Sequence, residues 1–181
     1  MRTFRNHGFN VDHHTRDKQG SWFYEMTDLG YNYRLTDFQC ELGRSQLRTL
    51  SERVARRQAI ARRYDEALAD MPAVTRLEVR DDASHARHIY VILLNLERLK
   101  VDRAAVFAAL RAEGIGVSVH YIPVHLHPFY RRRFGVRAGL CPVAEAAYER
   151  MLTLPMFPQM SDADADDVIT ALERVLGVYQ N

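Results

Sequence analysis

The chain has 181 residues, of which 47% are hydrophobic and 27% charged, and its formal net charge is +2. That length and balance suit one ordinary domain with a real core. So small a charge argues against a nucleic-acid surface, and the one basic run, Arg131-Arg132-Arg133, reads as a solvated turn or helix end. Cys40 and Cys141 lie far apart, with no CxxC motif and no disulfide framework. No signal peptide and no apolar run of membrane-spanning length is present, so a reducing cytoplasm is the expected compartment. Arginine supplies 23 of the 25 basic residues, leaving only Lys18 and Lys100 as lysines.

Residues 1–35 carry little periodicity and hold His7, His13, His14, Trp22, Tyr24, Tyr31 and Tyr33 among polar residues. So long an aromatic arm without structure of its own normally lies against something else, and the aromatic group fits a protein interface better than a base-stacking platform. From Thr36 to about Ala69 the apolar residues Phe38, Leu42, Leu47, Leu50, Val54, Ala61, Tyr64 and Leu68 predict one long helix. At about 1.5 Å per residue it would span roughly 50 Å. Thr36 and Gln39 have the spacing of a reciprocal capping box, Cys40 should pack as a small apolar side chain, and Met71-Pro72 ends the helix.

Strands and helices then alternate. Val74–Val79 and His88–Leu94 read as strands. Asp102 caps a helix that stops at Gly114. Val117, Val119 and Tyr121 alternate with Ser118 and His120, which predicts a half-buried strand over 115–121. A loop rich in Pro and His covers 122–130, a helix follows over 142–152, and 153–157 is extended. Ser161 caps the last helix, with Asp164 at the box position and Val168, Ile169, Leu172, Val175 and Leu176 on its inner face. The sum is a small α/β fold, three or four strands with helices packed on one side, reached by the long helix from an extended arm.

Two groups of residues bear on chemistry. Asn32 and Arg34 sit in a loop tied to a helix start, where an amide and a guanidinium suit an anion, phosphate above all. A turn asparagine and a surface ion pair are the plainer reading. His120, His125 and His127 cluster with Tyr121 and Tyr130. Zinc is one reading of the three histidines, but no Cys or carboxylate sits among them in sequence to complete a shell. A polar loop lining a ligand cleft and a plain surface loop stitched by Pro123 and Pro128 are the others. His85 and His88 flank a strand start and read as structural. No GxGxxG, P-loop, HExxH or GxSxG motif occurs.

Arg5-Asn6-His7-Gly8, Gly30-Tyr-Asn-Tyr-Arg-Leu-Thr-Asp-Phe-Gln39, Gly114-Ile-Gly-Val-Ser-Val-His-Tyr-Ile-Pro-Val-His125 and Leu154-Pro-Met-Phe-Pro158 resemble, in order and over essentially the whole chain, the pyridoxal-phosphate-dependent sugar aminotransferases of the DegT/DnrJ/EryC1/StrS type. Trp22-Phe-Tyr-Glu25 and the His120–Tyr130 run look closest to the branch that aminates the UDP-linked 4-keto sugar of pseudaminic acid synthesis. The resemblance implies the small C-terminal domain of a fold-type I aminotransferase, with a mainly antiparallel sheet. It divides the chain into an interface and active-site arm (1–35), a linking helix (36–70) and the small α/β domain (71–181). It also implies a homodimer with shared sites, in which Asn32 meets the cofactor phosphate of the neighbouring subunit and Arg34 is a second contact. His120 and Tyr121 would lie beside the nucleotide-sugar, near its diphosphate, with His125 and Tyr130 extending that wall.

In such enzymes the Schiff-base lysine, the aspartate facing the pyridine nitrogen and the stacking aromatic belong to a large N-terminal domain. This chain is expected to begin just after that domain, so that no catalytic residue lies in it and no cofactor is held covalently by it. Lys18, in a polar turn, and Lys100, in a charged segment, are poor replacements, because such a lysine needs a closed pocket. The intact enzyme would move an amino group from glutamate to C4 of the keto-sugar. A non-catalytic subunit docking on a separate large-domain chain, the same domain of a sugar dehydratase, and a nucleic-acid-binding module are the competing readings. Without the large domain, the arm and one face of the 36–69 helix should expose apolar surface.

Overall fold

The computed structural model describes residues 1–180. The chain forms two compact units, Met1–Leu50 and Ser51–Asn181.

The first unit has no apolar core, since every buried hydrophobic side chain of the described residues belongs to the second. Its arm is nevertheless not the extended segment expected. Two strands of backbone fold against each other, with antiparallel bridges Asn6↔Asn32 and Phe9↔Met26. His7 N donates to Tyr31 O at 3.0 Å, Tyr33 N to Arg5 O at 2.9 Å and Thr27 N to Gly8 O at 2.9 Å. Between them lies a short helix, α1 (His13–Gln19), with Asp12 capping at Thr15 N and Gly20 in the left-handed conformation closing it. Two glycines permit the crossing. A Cβ on Gly8, whose φ is +73°, would sit 1.7 Å from Asp28 O, and one on Gly30 would sit 2.1 Å from Gly8 N. Both distances are far inside van der Waals contact, so only glycine fits either position. The rings then pack on each other instead of on a core: Phe4 meets Tyr31 edge-on at 5.2 Å, Tyr31 stacks on Tyr33 at 5.2 Å and Phe9 meets Tyr24 at 4.7 Å.

The helix predicted over 36–69 is two helices, α2 (Asp37–Arg48) and α3 (Leu50–Ala67). Thr49 interrupts them, its hydroxyl and N–H both bonding back to Gln46 O at 3.3 Å. A threonine that bonds locally in this way competes with the i→i−4 ladder. The apolar steps run on across residues 47, 50 and 54, so periodicity could not show the break. The predicted capping box is present: Gln39 N donates to Thr36 Oγ1 and Thr36 N donates to Gln39 Oε1. Cys40, expected to pack, is exposed, because α2 buries none of its side chains. Phe38, Leu42 and Leu47 of α2 are likewise exposed, as are Trp22, Tyr33 and Leu35 of the arm.

The second unit is built on a three-stranded antiparallel sheet in the order β1 (Val74–Arg76), β2 (Tyr90–Leu94), β3 (Met151–Leu154). Val74 pairs with Leu94 and Tyr90 with Leu154. Tyr90, Ile92 and Leu94 turn to the buried side of β2, the alternation expected of a strand with one covered face. Helices α4 (Arg103–Ala112), α5 (Pro128–Phe134), α6 (Pro142–Arg150) and α7 (Asp162–Tyr179) complete the unit. The core joins Ile60, Tyr64 and Leu68 of α3 to the sheet, to Val106 and Leu110 of α4, and to Val168, Leu172, Val175 and Leu176 of α7. Ser161 and Asp164 form the predicted capping box of α7. Arg63 and Asp166 bind α3 to α7 through two parallel N–H···O bonds of 2.5 and 2.6 Å, the paired geometry that suits guanidinium and carboxylate. Burial raises the phenols of both Tyr64 and Tyr90; Tyr64 donates to Pro155 O at 2.8 Å and Tyr90 to Asp65 Oδ1 at 2.6 Å.

The strand expected over 115–121 is absent. Val117 N bonds back to Ile115 O, and only Ser118 pairs with Thr153, by two backbone bonds of 3.1 and 2.8 Å. The loop expected over 122–130 holds a 3-10 turn, Val124–Leu126, and the start of α5. Arg131, Arg132 and Arg133 fall in the exposed last turn of α5.

Replacing Gly30 by Ala should open the arm. Hydrogen exchange at the His7, Thr27 and Tyr31 amides should speed by roughly tenfold or more, while the thermal transition of the second unit is unchanged. Unaltered exchange would show that the glycine crossing is not what holds the arm.

Candidate functional site

The first group of site residues lies at the pairing of the arm's two strands. Asn32 is the bridge partner of Asn6, and Arg34 Nη1 donates to Asn6 Oδ1 at 2.9 Å. The segments Arg5–Gly8 and Gly30–Arg34, which sequence presents as separate motifs, are thus one backbone structure. Asn32 is exposed and its side chain makes no hydrogen bond among the described residues. Arg34 spends one N–H on a neutral amide and retains its other donors and its full charge.

The second group belongs to the second unit. Ser118–Thr153 pairing carries the chain to His120, whose Nδ1 lies 2.9 Å from Thr153 Oγ1. Thr153 is 5% exposed, a buried polar residue on β3, so its hydroxyl needs a partner and the imidazole provides one. The bond occupies Nδ1 and leaves Nε2 available. Tyr121 is 75% exposed, with its ring edge-on to His120 at 4.7 Å.

His125 is engaged differently. Its Nε2 lies 2.7 Å from Glu145 Oε1, and its side chain is only 10% exposed. Glu145, in the first turn of α6, also accepts from Gly139 N at 2.9 and 2.8 Å and from Cys141 N at 3.1 Å. The amide of Gly139, the His125 ring and the amide of Cys141 hold this carboxyl below its ordinary range. Glu145 therefore ties the Val124–Leu126 turn to the loop entering α6. Tyr130, on α5, stacks on Phe134 at 6.0 Å and meets Phe129 edge-on at 5.3 Å. Among the described residues no three His, Cys, Asp or Glu side chains gather to hold a metal.

Thr153 and Glu145 hold the candidate site residues His120 and His125, and sequence reasoning missed both. Thr153 lay 33 residues from His120 with only a strand assignment to mark it. Glu145 stood at the first turn of a helix, where an acidic residue is ordinary.

Lys18 falls in the last turn of α1 and is exposed. Lys100 is exposed as well, with its backbone N–H on Tyr179 O at 2.8 Å. His85 Nδ1 accepts from Arg87 N at 2.8 Å, a local structural bond. No helix of the described residues is long and apolar enough to cross a membrane.

Glu145→Gln tests the clasp. A carboxyl whose folded pKa lies below its ordinary 4.5 contributes stability above that value, and the contribution disappears as pH falls through the folded pKa. The variant should melt lower than the parent at pH 7, with the gap narrowing as pH falls below the ordinary carboxyl value of 4.5 and the Glu145 carboxylate is protonated. A gap independent of pH would assign the loss to packing instead of charge.

The DegT/DnrJ/EryC1/StrS aminotransferase family matches residues 1–173. The chain is 42% identical over 158 residues to the spore coat polysaccharide biosynthesis protein SpsC of Bacillus subtilis, covering 87% of this chain and 41% of that one. The structure resembles that of a Streptococcus pneumoniae protein described as a sugar aminotransferase and solved in its PMP form. Their TM-score is 0.81 at 28% identity, covering 98% of this chain and 44% of the other. Helicobacter pylori PseC, an aminotransferase of pseudaminic acid biosynthesis, shares the fold with a TM-score of 0.79 at 24% identity, covering 98% and 45%. The chain thus spans less than half the length of these relatives. With a match running through both of its units, it belongs to the DegT/DnrJ/EryC1/StrS aminotransferase family.

Proposed function

We propose that this chain is the C-terminal portion of a pyridoxal-phosphate-dependent nucleotide-sugar aminotransferase, acting with glutamate at C4 of a UDP-linked 4-keto-6-deoxy sugar. The observation that carries the reading is the pairing of Arg5–Gly8 with Gly30–Arg34, which holds an uncommitted amide beside a guanidinium that has given only one donor, to Asn6. Those two groups fit the phosphate end of the cofactor. The covalent end finds nothing equivalent, since both lysines are exposed and neither stands in a closed pocket.

When bound, the cofactor supplies the electron sink and carries the amino group between the two substrates. The residues of this chain recognise and position. Asn32 Nδ2 and the Arg34 guanidinium would hold the cofactor's phosphate, in a site that the neighbouring subunit of a homodimer would complete. His120, fixed through Nδ1 by Thr153, presents Nε2 to the sugar nucleotide, and Tyr121 adds a phenol. His125 has spent Nε2 on Glu145, so it and Glu145 position the loop that carries His120 and Tyr121. Tyr130 extends the same wall from α5. The UDP-sugar branch is supported by the Trp22-Phe-Tyr-Glu25 and His120–Tyr130 runs, and the exposed apolar side chains of α2 are the surface on which a partner domain or subunit would pack.

Two outcomes test the reading. The chain alone should transfer no amino group from glutamate to a UDP-4-keto-6-deoxy sugar, whereas the chain joined to or co-expressed with a lysine-bearing large domain should do so and become yellow. In that assembly Asn32→Ala should weaken cofactor binding about tenfold, roughly 1.4 kcal/mol. Full activity of the isolated chain, or unchanged cofactor affinity in the variant, would count against it.

A further inference from the structure

One stretch of the second unit stands almost wholly in solvent. From His127 through Ala144 every residue except Val136 is exposed. The stretch comprises α5, the turn that follows it and the start of α6. Its backbone is nevertheless fixed. Gly135 closes α5 in the left-handed conformation, Leu140 N donates to Arg137 O at 3.3 Å, and Glu145 accepts from Gly139 N at 2.8 Å and from Cys141 N at 3.1 Å.

The composition of this stretch differs from the rest of the chain. Arg131, Arg132, Arg133 and Arg137 give it four positive charges, and no Asp or Glu lies between His127 and Ala144. The whole chain has a formal net charge of +2, so the residues outside the stretch sum to −2. None of the four arginines forms an ion pair among the described residues, whereas Arg56, Arg63, Arg76, Arg87 and Arg174 of the same unit each pair with a carboxylate. Glu145, the first carboxylate after the stretch, is committed to His125, Gly139 and Cys141. Large apolar side chains are interleaved with the arginines: Phe129 is 61% exposed, Phe134 63%, Leu140 56% and Val143 83%.

Nucleic acid would answer the arginines but leave Leu140 and Val143 in water. An acidic protein would have to bring several carboxylates and a matching apolar face into one register. The interface of an anionic bilayer offers both without register, headgroup phosphates for the guanidiniums and the acyl boundary for the apolar side chains. Arginine suits such a place, because its stem lies along apolar surface while its head stays among the headgroups. We propose that residues 127–144 form a peripheral docking surface for an anionic membrane. Phe134, Leu140 and Val143 enter the headgroup boundary, and Arg131, Arg132, Arg133 and Arg137 meet lipid phosphates. Tyr130, assigned above to the sugar-nucleotide wall, is not part of this surface. The docking needs neither cofactor nor amino transfer, so it stands or falls separately from the function proposed above.

Flotation of the full chain with lipid vesicles tests it, using phosphatidylcholine alone and phosphatidylcholine with about one-third phosphatidylglycerol. The chain should float with the anionic vesicles and severalfold less with the neutral ones, and binding should weaken severalfold between about 50 and 500 mM salt. The triple variant Arg131→Gln/Arg132→Gln/Arg133→Gln should lose more than about tenfold in affinity. Phe134→Ser and Leu140→Ser should each lose severalfold, with unchanged melting curves because both side chains are exposed. An equal loss of charge elsewhere, at the exposed Arg2, Arg48 and Arg62 in Arg2→Gln/Arg48→Gln/Arg62→Gln, should leave binding nearly intact. The chain joined to a large domain should still float. No flotation, equal flotation with neutral vesicles, or loss of flotation on joining the large domain would overturn the proposal. So would undiminished binding by the Arg131–Arg133 triple variant, an equal loss in the control triple variant, or tighter binding to a single-stranded RNA oligonucleotide than to the vesicles.

Discussion

The close approach of Gly8 and Gly30 is the constraint on which the candidate chemistry of the first unit depends. That unit buries no apolar side chain, so hydrophobic burial, the usual source of a fixed shape, is not available to it. What remains is backbone pairing between residues 4–10 and 25–33, and that pairing requires the two segments to meet where a single added methyl would collide with a carbonyl or an amide. Asn32 and Arg34 are ordered because the backbone on either side of Gly30 has nowhere else to go. The aromatic rings follow from the same constraint, packing on each other across a two-stranded surface.

The second unit solves the same problem by opposite means. Its core fixes β3, β3 fixes Thr153, and Thr153 fixes His120 through one hydroxyl. A buried hydroxyl in that position cannot be left unpaired without cost, which gives the imidazole one preferred orientation. Glu145 does for His125 what Thr153 does for His120, with a charged acceptor and three donors. Positioning in both cases comes from polar groups on regular elements, while the groups free to meet a ligand, His120 Nε2 and the Tyr121 phenol, lie on the irregular chain between β3's bridge partner and the Val124–Leu126 turn.

Sequence made some of this legible and concealed the rest for identifiable reasons. The capping boxes at Thr36 and Ser161 were readable because they are contiguous signals with a fixed spacing. The antiparallel α/β fold was readable from β-branched runs and from motif resemblance together. The break at Thr49 was hidden because the apolar period continues across it. The strand over 115–121 was overcalled because alternation of side chains does not reveal that Val117 bonds back to Ile115 instead of across. Thr153 and Glu145 were invisible as site residues, since contacts over 33 and 20 residues leave no local trace. The arm looked unstructured for the same reason: its order comes from glycines 22 positions apart in the chain, whose meeting no periodic pattern records.

The proposed function divides the labour: this chain would recognise phosphate and sugar nucleotide, and the lysine that holds the cofactor would lie in another domain. Borohydride reduction in the presence of pyridoxal phosphate, followed by peptide mass spectrometry, tests it most directly. The account predicts no stoichiometric attachment at Lys18 or Lys100 in the isolated chain, and stoichiometric attachment to a lysine of the large domain once the two are joined. Stoichiometric, saturable attachment to Lys18 or Lys100 would contradict it.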